Sequence, residues 1–329
     1  MIYQNLDIHG AVELEEVDGG VMPYRLPRKV WEPVDLLDHA LTPVGIELRF
    51  VPEGEVKLTL SARGNNYASV FYGSLQSGEG IQHITIPSTP TTFTFNPPKM
   101  KRHTSHVKEL YNLPYDDGVV RVLLGNAPII VHSIEGPCRP PRADEVPEKT
   151  GIFYGSSITQ GACLPSNTLL WSRRVADALG CNHYNHGVAG RCRVEREVTD
   201  WLAARDDWDF AVLELGINMV DHYDPEDFRG RVRYMLESLH NTHPDAYLFC
   251  IDVFCYRGDL FNENMAPPFR RILKEEIDRI GSDRLVHIPG LDILPTGAGL
   301  VTDIVHPGVE GVIEIAHNLT NVLKPYFNK

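Results

Sequence analysis

The stretch Gly151-Ile152-Phe153-Tyr154-Gly155-Ser156-Ser157-Ile158-Thr159-Gln160-Gly161 predicts a buried strand that runs into a tight turn. Residues 151–154 are apolar over the length of a short strand, and Gly155 with the two serines marks a change of chain direction. Residues 169–179 then carry apolar side chains at helical spacing. Such a strand–turn–helix unit places polar side chains at the carboxyl end of a strand, where open α/β sheets bind ligands.

The two serines of this turn allow two interpretations. A serine before a helix can cap it by accepting a hydrogen bond from a free backbone N–H group. A serine can also be a nucleophile, which needs a general base from another part of the chain. Capping is the commoner use of a lone serine, so the other residues of the chain have to decide.

Strands alternate with helices after residue 150. We expect strands at 151–154, 183–186, 209–215, 246–252 and 284–288. We expect helices at 167–180, 193–205, 225–242, 266–281 and 308–325. This alternation predicts an α/β domain at 150–329 with a parallel sheet and right-handed crossovers.

Apolar and polar residues alternate with period two in the first part of the chain. The alternating segments are 45–51, 55–60, 81–86, 91–95, 119–124 and 129–134. Separated by Gly, Pro, Asn and Ser turns, they predict an antiparallel, jelly-roll-like β-sandwich at 1–136. Segments 5–16 and 26–34 are less regular, and we expect them to wrap the sandwich edge. The proline-rich segment 137–149 predicts a semi-rigid linker.

The bulk composition excludes several classes of partner. With 329 residues, two domains are expected, and a net charge of −13 argues against nucleic acid and against an anionic membrane surface. The amino terminus lacks the pattern of a signal peptide, and no apolar stretch approaches a membrane span. We therefore expect a cytoplasmic protein whose partner is a small molecule; a homo-oligomer stays possible.

The cysteines give no sign of a metal or redox site. They are spread along the chain without a CxxC pair, at Cys138, Cys163, Cys181, Cys192, Cys250 and Cys255. Metal and disulfide frameworks normally show closely spaced cysteines, so we predict free thiols, no metal and no cofactor.

Four short blocks stand at predicted turns of the α/β part. In chain order they are Gly155-Ser156-Ser157, Tyr184-Asn185-His186-Gly187-Val188-Ala189-Gly190, Gly216-Ile217-Asn218 and Asp303-Ile304-Val305-His306-Pro307. In this order they resemble the four sequence blocks of the SGNH (GDSL-type) hydrolases. The resemblance covers the chain from about Gly151 to its end and implies a flavodoxin-like parallel sheet.

The resemblance implies a catalytic triad, with Ser157 as nucleophile, His306 as its general base and Asp303 as the residue that orients His306. Imidazole suits a base because it titrates near neutral pH. Asp303 could reach the far ring nitrogen, fix the tautomer and stabilise the imidazolium. Ser156 stands where the family has aspartate, so the block departs from the pattern. We predict that Ser157→Ala abolishes ester hydrolysis and that Ser156→Ala leaves most of it.

The resemblance also implies an oxyanion hole. Its donors would be the backbone N–H groups of Ser157 and Gly190 and the side-chain amide of Asn218. Losing one such donor typically costs about 3 kcal/mol. The local sequence leaves an alternative open for two of them, since Gly190 is equally an ordinary turn glycine and Asn218 an ordinary strand-end residue.

Two weaker candidates complete the site. The segment Phe254-Cys255-Tyr256-Arg257 follows a predicted strand, and we expect Phe254, Tyr256 and Arg257 to contact substrate. Packing under a loop is the commoner use of such aromatics. Asp221, His222 and Asp224 match no metal motif even when combined with the 303–306 block, and hydrated turn residues are the favoured interpretation.

The function that the resemblance implies is a serine esterase that removes a small acyl group, first of all acetyl, from a carbohydrate or similar ester. The amino-terminal part is similar to the sandwich that precedes the catalytic domain in some bacterial members, among them carbohydrate esterases. One alternative is an acyltransferase that uses the same residues with a bound hydroxyl acceptor. The other is a non-catalytic carbohydrate-binding protein with a vestigial site.

Overall fold

The amino-terminal part forms two antiparallel sheets. The computed structural model describes residues 1–64, 66–78, 82–261, 263 and 265–327. Within them the strands of this part are β1 (Ile2–Tyr3), β2 (Leu6–His9), β3 (Glu13–Val17), β4 (Gly20–Tyr24), β5 (Glu47–Pro52), β6 (Val56–Ala62), β7 (Asn66–Tyr72), β8 (Leu75–Gln76), β9 (His83–Ile86), β10 (Thr91–Phe95), β11 (Val120–Leu124), β12 (Ile129–Glu135) and β13 (Cys138–Arg139). One sheet has the order β1-β2-β5-β11-β7-β8, with β13 beside β5 and β9 beside β7, and the other has the order β10-β6-β12-β4-β3.

A shared apolar core joins these two sheets and confirms the predicted sandwich. Leu48 and Phe50 of β5 and Leu58 and Leu60 of β6 are completely buried in one cluster. The Phe50 ring meets Phe95 of the other sheet edge-on, with centroids 5.4 Å apart. The period-two pattern holds because successive side chains of a strand point to opposite faces. Ile81, at the start of one predicted strand, lies outside the described residues.

The carboxy-terminal part is built on a parallel sheet, as predicted. Its strands are β14 (Thr150–Gly155), β15 (Asn182–Gly187), β16 (Phe210–Glu214), β17 (Tyr247–Ile251) and β18 (Leu285–Ile288). They pair in the order β15-β14-β16-β17-β18, and each pair is parallel. Numbered along the chain this is the order 2-1-3-4-5 of flavodoxin-like sheets, which confirms the predicted fold class.

Helices cover both faces of the parallel sheet. The described helices are α1 (Arg28–Trp31), α2 (Leu37–Leu41), α3 (Lys101–Tyr111), α4 (Ser157–Gln160), α5 (Trp171–Leu179), α6 (Arg196–Ala203), α7 (Pro225–Thr242), α8 (Arg257–Leu260), α9 (Ala266–Ile280), α10 (Gly290–Ile293) and α11 (Val309–Phe327). Phe153 and Val212 share a cluster with α5 and α11, whereas Ile152 and Leu213 share one with α6, α7 and α9. Within the described ranges, no helix combines the length and the apolar character needed to cross a bilayer.

The segment that precedes β5 packs on the α/β part, which corrects one expectation. Leu26 and Val30 were expected to wrap the sandwich edge, but both are buried in the same cluster as Ile152 and Tyr154 of β14. The Arg25 guanidinium donates to the backbone carbonyls of Asn185 (2.8 Å) and Gly187 (3.2 Å). Residues 25–40 therefore help to hold the carboxyl end of β15 in place.

Buried charges join the two parts of the chain. Arg49 of β5 donates to Asn182 Oδ1 of β15 over 2.9 Å, and Arg121 Nη2 of β11 lies 3.7 Å from Asp177 Oδ1 of α5. In the 137–149 segment, β13 pairs with β5, and Glu145 accepts two 2.7 Å hydrogen bonds from Arg139. Breaking a buried ion pair leaves a charge without compensation, at a cost of about 3–5 kcal/mol. The contacts of Arg49 and Arg121 therefore tie the sandwich to β15 and α5 of the α/β part.

Candidate active site

The turn after β14 separates the roles of the two serines. Ser156 is the N-cap of α4, and its hydroxyl accepts a 3.1 Å hydrogen bond from the Ile158 N–H. Ser157 is the first residue of α4 and is 7% exposed. A Cβ at Gly155 would lie 2.6 Å from Glu214 Oε2, so this turn requires glycine. The capping interpretation therefore applies to Ser156 and leaves the Ser157 hydroxyl for another contact.

That contact is with His306, which lies 149 positions further along the chain. Ser157 Oγ lies 2.7 Å from His306 Nε2, and His306 Nδ1 lies 2.7 Å from Asp303 Oδ2. Because a carboxylate only accepts hydrogen bonds, Nδ1 carries the proton and Nε2 offers its lone pair to the serine O–H. We call this arrangement the Ser157–His306–Asp303 chain. It brings together the three residues that the sequence proposed as a triad.

The loop that carries Asp303 and His306 is held by its own hydrogen bonds. Asp303 Oδ1 accepts from the backbone N–H groups of Val305 (2.9 Å) and His306 (3.0 Å). Ile304 adopts a φ of +58°, and its carbonyl accepts a 2.7 Å bond from the Arg257 N–H. Burial opposes ionisation of Asp303, but the hydrogen bonds from His306 and Val305 outweigh it and lower the pKa of this carboxyl. The carboxylate is thus ionised where the imidazole needs it.

The three predicted oxyanion donors follow the carboxyl ends of β14, β15 and β16. Gly190 has a φ of +69°, while a Cβ there would meet nothing within 4 Å, so conformation rather than space favours glycine. Asn218 Oδ1 accepts a 3.1 Å bond from the Cys192 N–H, which ties the two loops together. None of the described residues accepts a hydrogen bond from the backbone N–H of Ser157, the backbone N–H of Gly190 or Asn218 Nδ2. All three donors are available to a bound group.

Glu214, which the sequence reasoning did not consider, lies directly beneath the serine turn. Its Oε2 accepts from the Ser156 N–H (2.7 Å), the Ser156 hydroxyl (2.7 Å) and the Thr159 hydroxyl (3.0 Å). The side chain is 1% exposed. Burial raises its pKa to about 7, against the opposing effect of these hydrogen bonds. A charged residue inside the apolar strand 209–215 was the signal that could have revealed it.

The predicted substrate contacts are corrected in part. Phe254 and Tyr256 are only 2% and 3% exposed, so their rings pack inside the protein and offer no stacking surface. The prediction was wrong for these two residues, because burying the large apolar ring of an aromatic side chain stabilises the fold. Arg257 has a side chain that is 57% exposed, and it pairs with Asp221 at 3.1 Å.

The acidic residues before α7 have structural partners of their own. Asp224 Oδ1 accepts a 2.8 Å bond from the Glu226 N–H and so caps the helix. Asp221 bonds Arg257. These contacts agree with the preferred interpretation of the segment as turn residues.

A sequence family covers much of the α/β part. Residues 153–312 match the profile of the GDSL-like Lipase/Acylhydrolase family. The match runs from β14 to the first turn of α11 and therefore includes the whole Ser157–His306–Asp303 chain. No curated protein matches the chain in sequence.

Several solved structures share the fold over nearly the whole chain. The salicylyl-acyltransferase SsfX3 from a tetracycline biosynthetic pathway superposes with a TM-score of 0.74 at 15% identity, over 96% of this chain and 93% of its own. A family two carbohydrate esterase from Clostridium thermocellum, solved with cellohexaose, gives 0.66 at 13% identity, over 98% and 99%. An acetyl xylan esterase from the rumen bacterium Butyrivibrio proteoclasticus gives 0.60 at 12% identity, over 99% and 97%. The likeness includes the amino-terminal β domain.

Proposed function

Because the chain carries a GDSL-like lipase/acylhydrolase domain at residues 153–312, we propose that it is a serine esterase acting on a small acyl ester of a carbohydrate or similar polyol. The observation that carries the proposal is the pair of 2.7 Å hydrogen bonds of the Ser157–His306–Asp303 chain. A serine hydroxyl becomes a useful nucleophile only when a base at this distance can take its proton.

In the proposed first step, Ser157 Oγ attacks the acyl carbon and its proton passes to His306 Nε2. Asp303 keeps Nδ1 protonated and stabilises the resulting imidazolium. The negative charge that develops on the carbonyl oxygen would be bound by the N–H groups of Ser157 and Gly190 and by the Asn218 amide. His306 then protonates the leaving alcohol, which leaves an acyl-enzyme on Ser157.

In the proposed second step, water resolves the acyl-enzyme with His306 as base. The openness of the site supports hydrolysis, since the side chains of His306 and Asp303 are 23% and 45% exposed. Transfer to another hydroxyl would require water to be excluded. Water reaches this imidazole easily, so hydrolysis is the favoured outcome.

A carbohydrate ester is the substrate class that the fold comparisons favour. Two of the solved structures described above are carbohydrate esterases, one of them an acetyl xylan esterase, and both extend over the sandwich as well as the α/β part. A neutral acetylated sugar also suits a chain with a net charge of −13. The partner would thus be a small neutral ester rather than a nucleic acid or a membrane. Six free cysteines support the cytoplasmic location.

The decisive experiment compares Ser157→Ala with Ser156→Ala. We expect wild type to release acetate from acetylated sugars and from p-nitrophenyl acetate and to react covalently with a fluorophosphonate. Ser157→Ala should lose both properties, whereas Ser156→Ala should keep most of each. The reverse result would move the nucleophile to Ser156. Folded wild type that neither hydrolyses nor labels would favour the non-catalytic, carbohydrate-binding alternative.

An acyltransferase is the second candidate, and the 0.74 TM-score to a salicylyl-acyltransferase is the observation that favours it. The two activities share the acyl-enzyme and differ in the acceptor. Product analysis with and without added alcohols separates them. An esterase should release mostly free acid at every alcohol concentration, whereas a transferase should give mainly the new ester.

A further inference from the structure

A cysteine thiol lies beside the histidine and the aspartate of the Ser157–His306–Asp303 chain. Cys163 Sγ, one carboxylate oxygen of Asp303 and one ring nitrogen of His306 all lie within 4.8 Å of one another. No sequence motif indicates this cluster, because Cys163 lies 140 positions before Asp303 and belongs to no metal-binding pattern. A thiol, an imidazole and a carboxylate together form a ligand set for a metal ion.

The backbone presents this thiol to the site. Cys163 adopts a φ of +66° in the turn that follows α4, and the Ala162 N–H bonds the Ser157 carbonyl at 2.9 Å. The next residue, Leu164, is buried in the core and anchors the turn. Cys163 itself is exposed and forms no disulfide. The thiol is therefore held near His306 and remains reachable from solvent.

We propose that Cys163, Asp303 and His306 form a Zn²⁺ site, and that the bound ion switches the active site off. Structural zinc sites use four protein ligands, but three protein ligands with one open position are also common. The mixture of a soft thiolate, an imidazole and a carboxylate favours Zn²⁺ over Mg²⁺ or Ca²⁺, which prefer oxygen ligands. The inhibitory half of this inference rests on the proposed function, whereas the binding half does not.

The distances allow such a site after a small closing movement. Zinc bonds of about 2.0–2.3 Å place tetrahedral ligand atoms roughly 3.5 Å apart. The ligand atoms of the cluster are separated by at most 4.8 Å, so no pair needs to approach by more than about 1.3 Å. Two of the three residues are exposed, which leaves their side chains room to rotate.

Zinc and catalysis would exclude each other at the imidazole. Binding at Nε2 would displace the Ser157 hydroxyl, and binding at Nδ1 would move the ring proton from Nδ1 to Nε2. In either case the ring has no lone pair left to take the serine proton. The thiol proton leaves on binding, because the metal ligand is the thiolate.

Binding is tested on wild type, Cys163→Ser and the matched control Cys138→Ser, which removes a thiol from β13 of the sandwich. Titrations use Zn²⁺ in calorimetry and Co²⁺ in absorption spectroscopy, where a thiolate ligand gives a near-ultraviolet charge-transfer band. We expect one ion per chain and the band in wild type and in Cys138→Ser. Cys163→Ser should lose the band and bind Zn²⁺ at least tenfold more weakly. Equal affinity and an unchanged band in Cys163→Ser would overturn the site.

Inhibition is measured as the ratio of acyl-ester hydrolysis with and without Zn²⁺ in each protein. At ten times the dissociation constant, hydrolysis by wild type should fall about tenfold and recover with a chelator. The same Zn²⁺ concentration should leave at least about half of the hydrolysis in Cys163→Ser, because the variant binds at least tenfold more weakly. Tight Cys163-dependent binding without any inhibition would overturn the switch. A wild type that binds Zn²⁺ but never hydrolyses esters would refute the proposed function and leave the metal site standing.

Discussion

Replacing Glu214 by glutamine tests the energetics of the carboxylate beneath the serine turn. Burial raises the pKa of Glu214 to about 7 from an ordinary value of 4.5. The folded state therefore keeps a proton that the unfolded state has already lost. This group stabilises the fold fully below pH 4.5, and the contribution is lost as pH rises through 7. The free-energy change between pH 4.5 and pH 8 is about 3 kcal/mol.

Glutamine has nearly the same shape and cannot ionise. Its carbonyl oxygen can take the place of Oε2 and accept from the Ser156 N–H and from the Ser156 and Thr159 hydroxyls, so we expect the variant to fold. Relative to Glu214→Gln, wild type should lose about 3 kcal/mol of unfolding free energy between pH 4.5 and pH 8. The other titrating groups are common to both proteins and cancel in this difference.

Urea unfolding followed by tryptophan fluorescence is a suitable assay. All four tryptophans, at positions 31, 171, 201 and 208, pack in the two clusters that flank the parallel sheet, so the signal reports on the α/β part. Glu197→Gln, on the exposed face of α6, serves as the matched control. Its unfolding free energy should change with pH in the same way as that of wild type. Parallel pH curves for wild type and Glu214→Gln would refute the reasoning.

Three further predictions concern the proposed chemistry. Asn218→Ala should lower kcat for acyl esters by about 10²–10³ with little change in KM, because it removes an oxyanion donor; a raised KM at constant kcat would argue for simple substrate binding. Gly190→Ala should lower kcat and destabilise the loop by about 1–2 kcal/mol, since alanine resists a φ of +69°; unchanged kcat and unchanged thermal midpoint would contradict this. Asp303→Asn should lower kcat about 10⁴-fold and slow fluorophosphonate labelling in parallel, because the amide favours the wrong imidazole tautomer; undiminished labelling would rule out the assigned role.

The regular elements were readable from the sequence because they depend on local periodicity. All five strands of the parallel sheet and the five long helices of the α/β part lie within a few residues of their expected positions. Several elements of the amino-terminal part lie outside the predicted segments, among them β4, β7 and α3. Strand β7 mixes polar and apolar residues without alternation because both of its faces are largely buried. Helix α3 has no buried residue, and its apolar side chains stand only at 107, 110 and 111, so the apolar stripe is too short to mark the whole helix.

The candidate site was also partly encoded in short motifs. Asp303 and His306 stand three positions apart, and that local spacing suffices to place a carboxylate on the imidazole. The meeting of His306 with Ser157 depends on the whole sheet, and it was inferred only from the order of the four blocks. No local pattern can show a contact between residues 149 positions apart.

The sequence by itself determined the fold class, because periodicity acts over a few residues. The residues of the Ser157–His306–Asp303 chain came from the resemblance of its four blocks to the SGNH hydrolases. Tertiary structure alone decided which serine caps α4, and it buried Phe254 and Tyr256. It also placed Glu214 under the turn and brought Cys163 beside His306. These outcomes depend on burial and on contacts between distant segments, which the folded chain creates and which no single stretch contains.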